Sequence, residues 1–252
     1  MITQAEIKDF ALLKQKKYRE QTGMFLGEGY KIVEEAVISN YPTQAVLYTE
    51  KGGELYKSLI AKLKKADVPT EVVSHKVLEK IADTQTPQEI LGVYKRVKKN
   101  VDELLAQNSG AVIGFDMITD PGNAGTILRT ADWFNYSSLI SLAGSVDLFS
   151  PKVVRSSMGS LFRLSVVEGI TVKEIVRIAA QKNFTLVCSV LGGEDYRKVK
   201  LPKNSLLFFS NESRGVSPEL LTPQTLQIAI PGKGRAESLN VSSAAAILLA
   251  GF

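Results

Sequence analysis

Asn123 and Arg129 stand six residues apart in Asp120-Pro121-Gly122-Asn123-Ala124-Gly125-Thr126-Ile127-Leu128-Arg129-Thr130-Ala131, which reads as a strand end, a tight turn and a helix start. An amide and a guanidinium there can orient a polar ligand and offset negative charge developing on an oxygen. Their spacing keeps them off one helix face: Asn123 points to the strand-end crevice, Arg129 further along. The plainer role is a helix cap for Asn123 and a surface position for Arg129. A second group follows the apolar run Leu206-Leu207-Phe208-Phe209, which delivers Ser210-Asn211-Glu212-Ser213-Arg214-Gly215 to a polar loop. Ligands of open α/β sheets bind beyond the carboxyl ends of strands, where Glu212 falls; a cap before Pro218 would use the same residues. The third group is Ile228-Ala229-Ile230-Pro231-Gly232-Lys233-Gly234-Arg235-Ala236-Glu237-Ser238-Leu239-Asn240, a strand entering a glycine-rich loop, then a helix of small residues. Loop amides of this kind can hold a cofactor. A Rossmann dinucleotide loop is excluded, because GxGxxG is incomplete and the helix begins late.

These groups need a sheet to position them. Ala111–Phe115, Ser138–Leu142, Leu164–Val167, Phe184–Ser189, Ser205–Ser210 and Gln227–Ile230 read as strands. Helices fit from about Asn123 to Phe134, over Thr171–Gln181 and over Leu239–Ala250. Near-continuous apolar strands separated by helices imply a mostly parallel sheet covered on both faces. Upstream, strands at Phe25-Leu26, Ala45–Tyr48, Glu71–Val73 and Gly92–Tyr94 alternate with helical patterns, including Glu54 to Ala66, and predict a smaller α/β sandwich. The charged stretch Lys95–Asn108 marks the boundary, giving domains at 1–100 and 108–252.

Composition narrows the chemistry. One cysteine, Cys188, allows no internal disulfide and suits a reducing cytoplasm. One histidine, His75, leaves no zinc cluster and no histidine-based triad, and no metal is expected. The apolar stretch Ala244–Phe252 is far short of the roughly 20 residues of a membrane span. Of the net charge of +5, most lies in residues 1–100, with 17 Lys/Arg against 13 Asp/Glu. Clustered cations suit a nucleic-acid surface. Lys14, Lys16, Lys17 and Arg19 are the candidate RNA-binding residues, with Tyr18 available to stack on a base; a solvated helix face is the bland alternative.

Taken in order, PGNAGTILRTA, SNESRGVS and IPGKGRAESLNVSSAAA resemble motifs one, two and three of the SpoU (TrmH-like) branch of the SPOUT RNA methyltransferases, over about residues 108–252. Residues 17–37, KYREQTGMFLGEGYKIVEEAV, resemble that family's L30e-like substrate-binding domain. The resemblance implies a trefoil-knotted domain, a homodimer with its active site near the subunit interface, and S-adenosylmethionine as cofactor. It places the catalytic motif residues on Asn123, Arg129, Glu212, Ser238 and Asn240. Cofactor contacts would fall on Leu191, Gly192, Ser210, Asn211, Gly215, Ile230 and Leu239. Ser210 and Ser213 stand where motif two usually has glycine, and Gly232 where motif three usually has methionine.

The implied reaction is 2′-O-methylation of RNA ribose, with a guanosine of large-subunit rRNA the first expectation. A tRNA substrate, or a non-catalytic RNA-binding factor of ribosome assembly, are the alternatives. Guanidinium groups ordinarily keep their proton, so Arg129 is expected to hold a phosphate and stabilise oxyanion charge, with Glu212 and Asn123 orienting it and the ribose.

Overall fold

In the first hundred residues the period-two pattern decides which side chains meet. The computed structural model describes residues 2–107, 110–211 and 214–252. The elements begin with α1 (Gln4–Leu12), α2 (Lys16–Thr22), β1 (Met24–Glu28), α3 (Tyr30–Ile38), β2 (Thr43–Tyr48), α4 (Glu50–Leu55), α5 (Lys57–Lys65), β3 (Thr70–Val72), α6 (His75–Ile81) and β4 (Ile90–Lys95). They continue with α7 (Val101–Gln107), β5 (Val112–Asp116), α8 (Pro121–Trp133), β6 (Ser138–Leu142), α9 (Pro151–Ser156), β7 (Ser165–Ile170) and α10 (Val172–Gln181). The last are β8 (Thr185–Asp195), β9 (Ser205–Ser210), β10 (Leu226–Ala229) and α11 (Val241–Gly251).

Two compact units result. One comprises residues 1–97 and 147–163, the other 98–146 and 164–252. The first holds a four-stranded sheet ordered β1-β4-β2-β3, with β4 antiparallel to β1 and β2, and β3 parallel to β2. Leu47, Leu91 and Val93 point to one face, under Ile7, Phe10 and Leu13 and under Leu78 and Ile81 of α6. Val46, Tyr48 and Ile90 point to the other, against Val33 of α3 and Leu59 and Leu63 of α5. Alternating strands thus bury both faces. The sequence pattern ran one helix from Glu54 to Ala66; Tyr56 interrupts it and separates α4 from α5.

Residues 147–163 pack onto this unit although they follow β6 in the chain. Phe149 and Phe162 join Phe25, Tyr41 and Tyr94 in an aromatic cluster, with Phe25–Phe149 and Tyr94–Phe162 centroids each 4.9 Å apart. Arg19 is buried, donating to Asp147 at 2.7 Å and to the Leu13 and Lys14 carbonyls at 2.7 Å each. Arg163 pairs with Glu35. Gly159 sits at φ +92°, and a Cβ there would meet the Glu35 side chain at 2.4 Å, so glycine is required.

The second unit has a six-stranded sheet, β10-β8-β9-β5-β6-β7, parallel throughout. Its strands are apolar on both faces, as burial on both sides demands: all of Val112–Asp116 and Ser138–Leu142 are buried. Ile175 and Ile178 of α10 and Leu104 and Leu105 of α7 close over Val112, Ile140, Leu206 and Phe208. The small-residue helix α11 packs on α8. Among the described residues no helix is long and apolar enough to cross a membrane.

Candidate active site

Parallel strands leave all their carboxyl ends at one edge of the sheet. At the end of β5 the buried carboxylate of Asp116 accepts hydrogen bonds from Ser210 Oγ at 2.9 Å, Ser217 N at 2.7 Å and Ser217 Oγ at 2.6 Å. It therefore clasps the two residues that flank the loop of motif two. Asn211 continues the join: its N–H donates to the Asp116 carbonyl at 3.3 Å, its Nδ2 to Thr119 Oγ1 at 3.4 Å, and its Oδ1 accepts from Arg214 N at 3.2 Å. Gly215, at φ +69°, donates to the Asn211 carbonyl at 2.9 Å. Glu212 and Ser213 lie outside the described residues.

The helix carrying motif one starts two residues earlier than the pattern suggested, at Pro121. Its cap is Asp120, whose Oδ1 accepts from Asn123 N at 2.7 Å. That leaves the Asn123 side chain available: its Oδ1 accepts from Asn240 Nδ2 at 3.1 Å. Asn240 is itself the cap of α11, accepting from Ser242 N at 2.9 Å. Motifs one and three, 117 residues apart, meet at this bond. Arg129 is exposed two turns along α8.

Residues 231–240 are exposed and without regular structure, Ser238 and Leu239 among them, and Ile230 is half-buried at their start. In the pairing of β8 with β10, Gln227 opposes Cys188 while Ile228 opposes Glu194, so the chain between them bulges out. The bulge carries Leu191, 81% exposed, and Gly192, which has open space around it. The bulge lies within β8, and the motif-two loop and residues 230–240 follow its two neighbours in the sheet, β9 and β10. They combine exposed leucines, backbone amides and glycines, which fits the apolar and polar parts of a nucleoside cofactor.

Two of these contributors were not among the expected site residues: Asp116 and Ser217. A carboxylate closing the apolar run Val112-Ile113-Gly114-Phe115 was the available signal for Asp116. Cys188, buried nearby, is a thiol pushed up to about 12 by burial and then by the Asp116 charge, so it is no nucleophile at neutral pH. No group of three His, Cys, Asp or Glu side chains suited to a metal occurs among the described residues.

The candidate RNA-binding cations divide. Lys16 is exposed beside Glu20 at 3.7 Å, and Lys17 Nζ stands 5.9 Å from the Tyr18 ring centroid. Lys14, also exposed, caps the Lys80 carbonyl at 3.0 Å. Arg19 departs from the expectation of an RNA-gripping side chain: its guanidinium is consumed by Asp147 and two backbone carbonyls. A helix-surface pattern cannot reveal that a distant segment covers one of its cations.

The fold and site define a two-part α/β protein whose parallel sheet gathers the three motif segments at its carboxyl edge. Residues 110–250 match the SpoU rRNA Methylase family and residues 4–92 the MRM3-like substrate binding domain. The chain belongs to the SpoU rRNA methylase family. It is 30% identical over 244 residues to the 23S rRNA (guanosine(2553)-2'-O)-methyltransferase RlmP of Bacillus subtilis, covering 97% of this chain and 94% of that one. It is similar in structure to the AdoMet-bound rRNA methyltransferase of Sinorhizobium meliloti, with TM-score 0.85, 30% identity, and coverage of 100% and 95%. AviRb of Streptomyces viridochromogenes, in complex with AdoMet, gives TM-score 0.87 at 27% identity, covering 99% and 97%.

Proposed function

We propose that this chain is an S-adenosylmethionine-dependent methyltransferase acting on the 2′-hydroxyl of a guanosine ribose in large-subunit rRNA. The observation that carries it is the Asn123–Asn240 hydrogen bond at the carboxyl edge of the parallel sheet, which unites motifs one and three beside the clasped loop of motif two. Relatives that match both halves of the chain and are named as 23S rRNA 2′-O-methyltransferases, one for a guanosine and one for a uridine, support large-subunit rRNA as the substrate, and the first of them supports guanosine.

The fit of the cofactor rests on the strand-end loops: Leu191, Gly192, Ser210, Asn211, Gly215, Ile230 and Leu239 would hold it. S-adenosylmethionine, when bound, supplies a methyl group already activated by its sulfonium, so a metal has no task. The protein's work is alignment and charge. Asn123, Asn240, Ser238 and Glu212 orient the ribose, and Arg129 holds the adjoining phosphate and offsets charge on the 2′-oxygen as its proton leaves. Residues 1–100 serve as the RNA-binding domain, with Lys14, Lys16 and Lys17 on its surface, and 108–252 as the methyltransferase domain, which is trefoil-knotted. The chain acts as a cytoplasmic homodimer. Trp133, 82% exposed at the end of α8, and Ile247 of the packed helix α11 offer apolar surface for that contact.

The test is incorporation of labelled methyl from S-adenosylmethionine into separate pools of unmodified rRNA and tRNA. Incorporation into rRNA at a guanosine that then resists alkaline cleavage is expected. Incorporation only into tRNA overturns the substrate; cofactor binding without transfer to any RNA or ribosomal precursor overturns the activity.

A further inference from the structure

We propose that a cleft of about 610 Å³ in the amino-terminal unit seats one unpaired nucleotide of the substrate RNA, its base against Val72 and its phosphate at Lys51, with His75 at the rim. This rests on the RNA substrate proposed above and adds where that RNA is held. The cleft follows from topology. Strands β2 and β3 are parallel, so the segments leaving them, Thr49–Lys51 and Val73–His75, rise side by side as two walls. Glu89, entering the antiparallel β4, closes the third side. Gly52 makes the approach possible: a Cβ there would lie 2.3 Å from the Glu89 carbonyl oxygen.

The cleft is polar by construction at its floor and open at its rim. The Glu89 carboxylate accepts from Thr49 Oγ1 at 2.6 Å and draws in Lys51 Nζ at 3.2 Å and His75 Nδ1 at 3.3 Å. The Thr49 hydroxyl is the largest cause holding Glu89 below the usual carboxylate range, so it stays ionised and anchors both nitrogens. Lys51 is nonetheless 71% exposed and the His75 side chain 47%. Lys51 stands beside Val72, a residue of the edge strand β3 that is 53% exposed, while the second His75 nitrogen, Nε2, lies 3.6 Å from Glu79 Oε1. An exposed apolar side chain next to an exposed ammonium is the chemistry of a base joined to a phosphate. The volume lies within the ~300–1,000 Å³ typical of ligand pockets. Single-stranded RNA presents such splayed nucleotides, whereas a paired helix does not. Glu50 and Glu89 also line the cleft, so the attraction for a polyanion over a neutral ligand comes from the excess of Lys and Arg over Asp and Glu across residues 1–100.

His75 is the chain's single histidine, so its ring resonances report on the cleft without ambiguity. The experiment titrates the full-length protein with a single-stranded RNA decamer, and separately with guanosine monophosphate, while following the His75 ring by NMR. RNA should shift the ring signals. Lys51→Ala should lower the slope of log K against log salt by about 1, as loss of one phosphate contact requires. Val72→Asp, at an exposed position, should weaken RNA binding tenfold or more while S-adenosylmethionine binding stays unchanged. A still His75 signal with RNA bound, or wild-type affinity and salt slope in both variants, overturns the cleft even if the wild-type protein methylates rRNA. Tighter binding of the free mononucleotide than of RNA reassigns the cleft to a small molecule and overturns it too. A wild-type protein that neither binds nor methylates RNA overturns both this proposal and the function beneath it.

Discussion

Replacing Asp116 by Ala removes the single acceptor shared by Ser210 Oγ, Ser217 N and Ser217 Oγ, at 2.9, 2.7 and 2.6 Å. The donors are half-buried, so each lost bond sits near the lower end of the usual cost, about 1 kcal/mol. The three together amount to about 3 kcal/mol. Global unfolding need not follow, since β5 and β9 remain paired through backbone bonds on either side. The loss should fall on the positions of Ser210 and Ser217, and through them on the proposed cofactor contacts of Ser210, Asn211 and Gly215. At about 1.4 kcal/mol per decade, S-adenosylmethionine should bind about a hundredfold more weakly. Asp116→Asn keeps one acceptor oxygen and the volume, so about tenfold is expected. The assay is calorimetric titration with S-adenosylmethionine, alongside thermal unfolding to establish that the variants fold. A Kd within twofold of wild type in folded Asp116→Ala would refute the clasp. A Tm drop of many degrees with unchanged affinity would make Asp116 a fold residue with no role in positioning the loop.

Four further outcomes follow from the same geometry. Asn240→Asp keeps the oxygen that caps α11 but loses the donor to Asn123, so methyl transfer should fall while stability holds; Asn240→Ala should also lose about 1 kcal/mol of stability. Arg129→Lys keeps charge but loses the planar fork, and retention of most of the transfer rate would refute a bidentate role. Arg19→Ala strands the buried Asp147 carboxylate and should destabilise the protein by about 3–5 kcal/mol in denaturant melts, while Lys17→Ala leaves stability unchanged. Burial pushes the Glu35 carboxyl up, but Lys31 and Arg163 outweigh it and hold it below its usual value. With the folded value depressed, its stabilisation is complete above the ordinary carboxylate pKa of about 4.3 and fades as pH falls through the lower one. Melts of wild type and Glu35→Gln should therefore differ at pH 7 and converge toward pH 3.

The sequence by itself determined the layered architecture, because period-two and continuous apolar runs leave little choice about which faces are buried. Ser138–Leu142 and Ser205–Ser210 read as strands and are strands with the same bounds. It also marked the three loops, since polar residues and glycine placed directly after apolar strands have few structural uses. Helix starts were less legible: the pattern offered Asn123 as the cap, and only the fold shows Asp120 taking that role and leaving the Asn123 amide for Asn240. The tertiary structure alone decided the partners. Residues 147–163 belong by chain order to the second unit, yet their aromatic and charged side chains complete the first. That placement buries Arg19 under Asp147 and withdraws it from solvent. Asp116 and Ser217, 101 residues apart, meet for the same reason. Local pattern fixes which face a side chain takes, but not which distant segment comes to cover it; that depends on chain topology, which spacing does not encode.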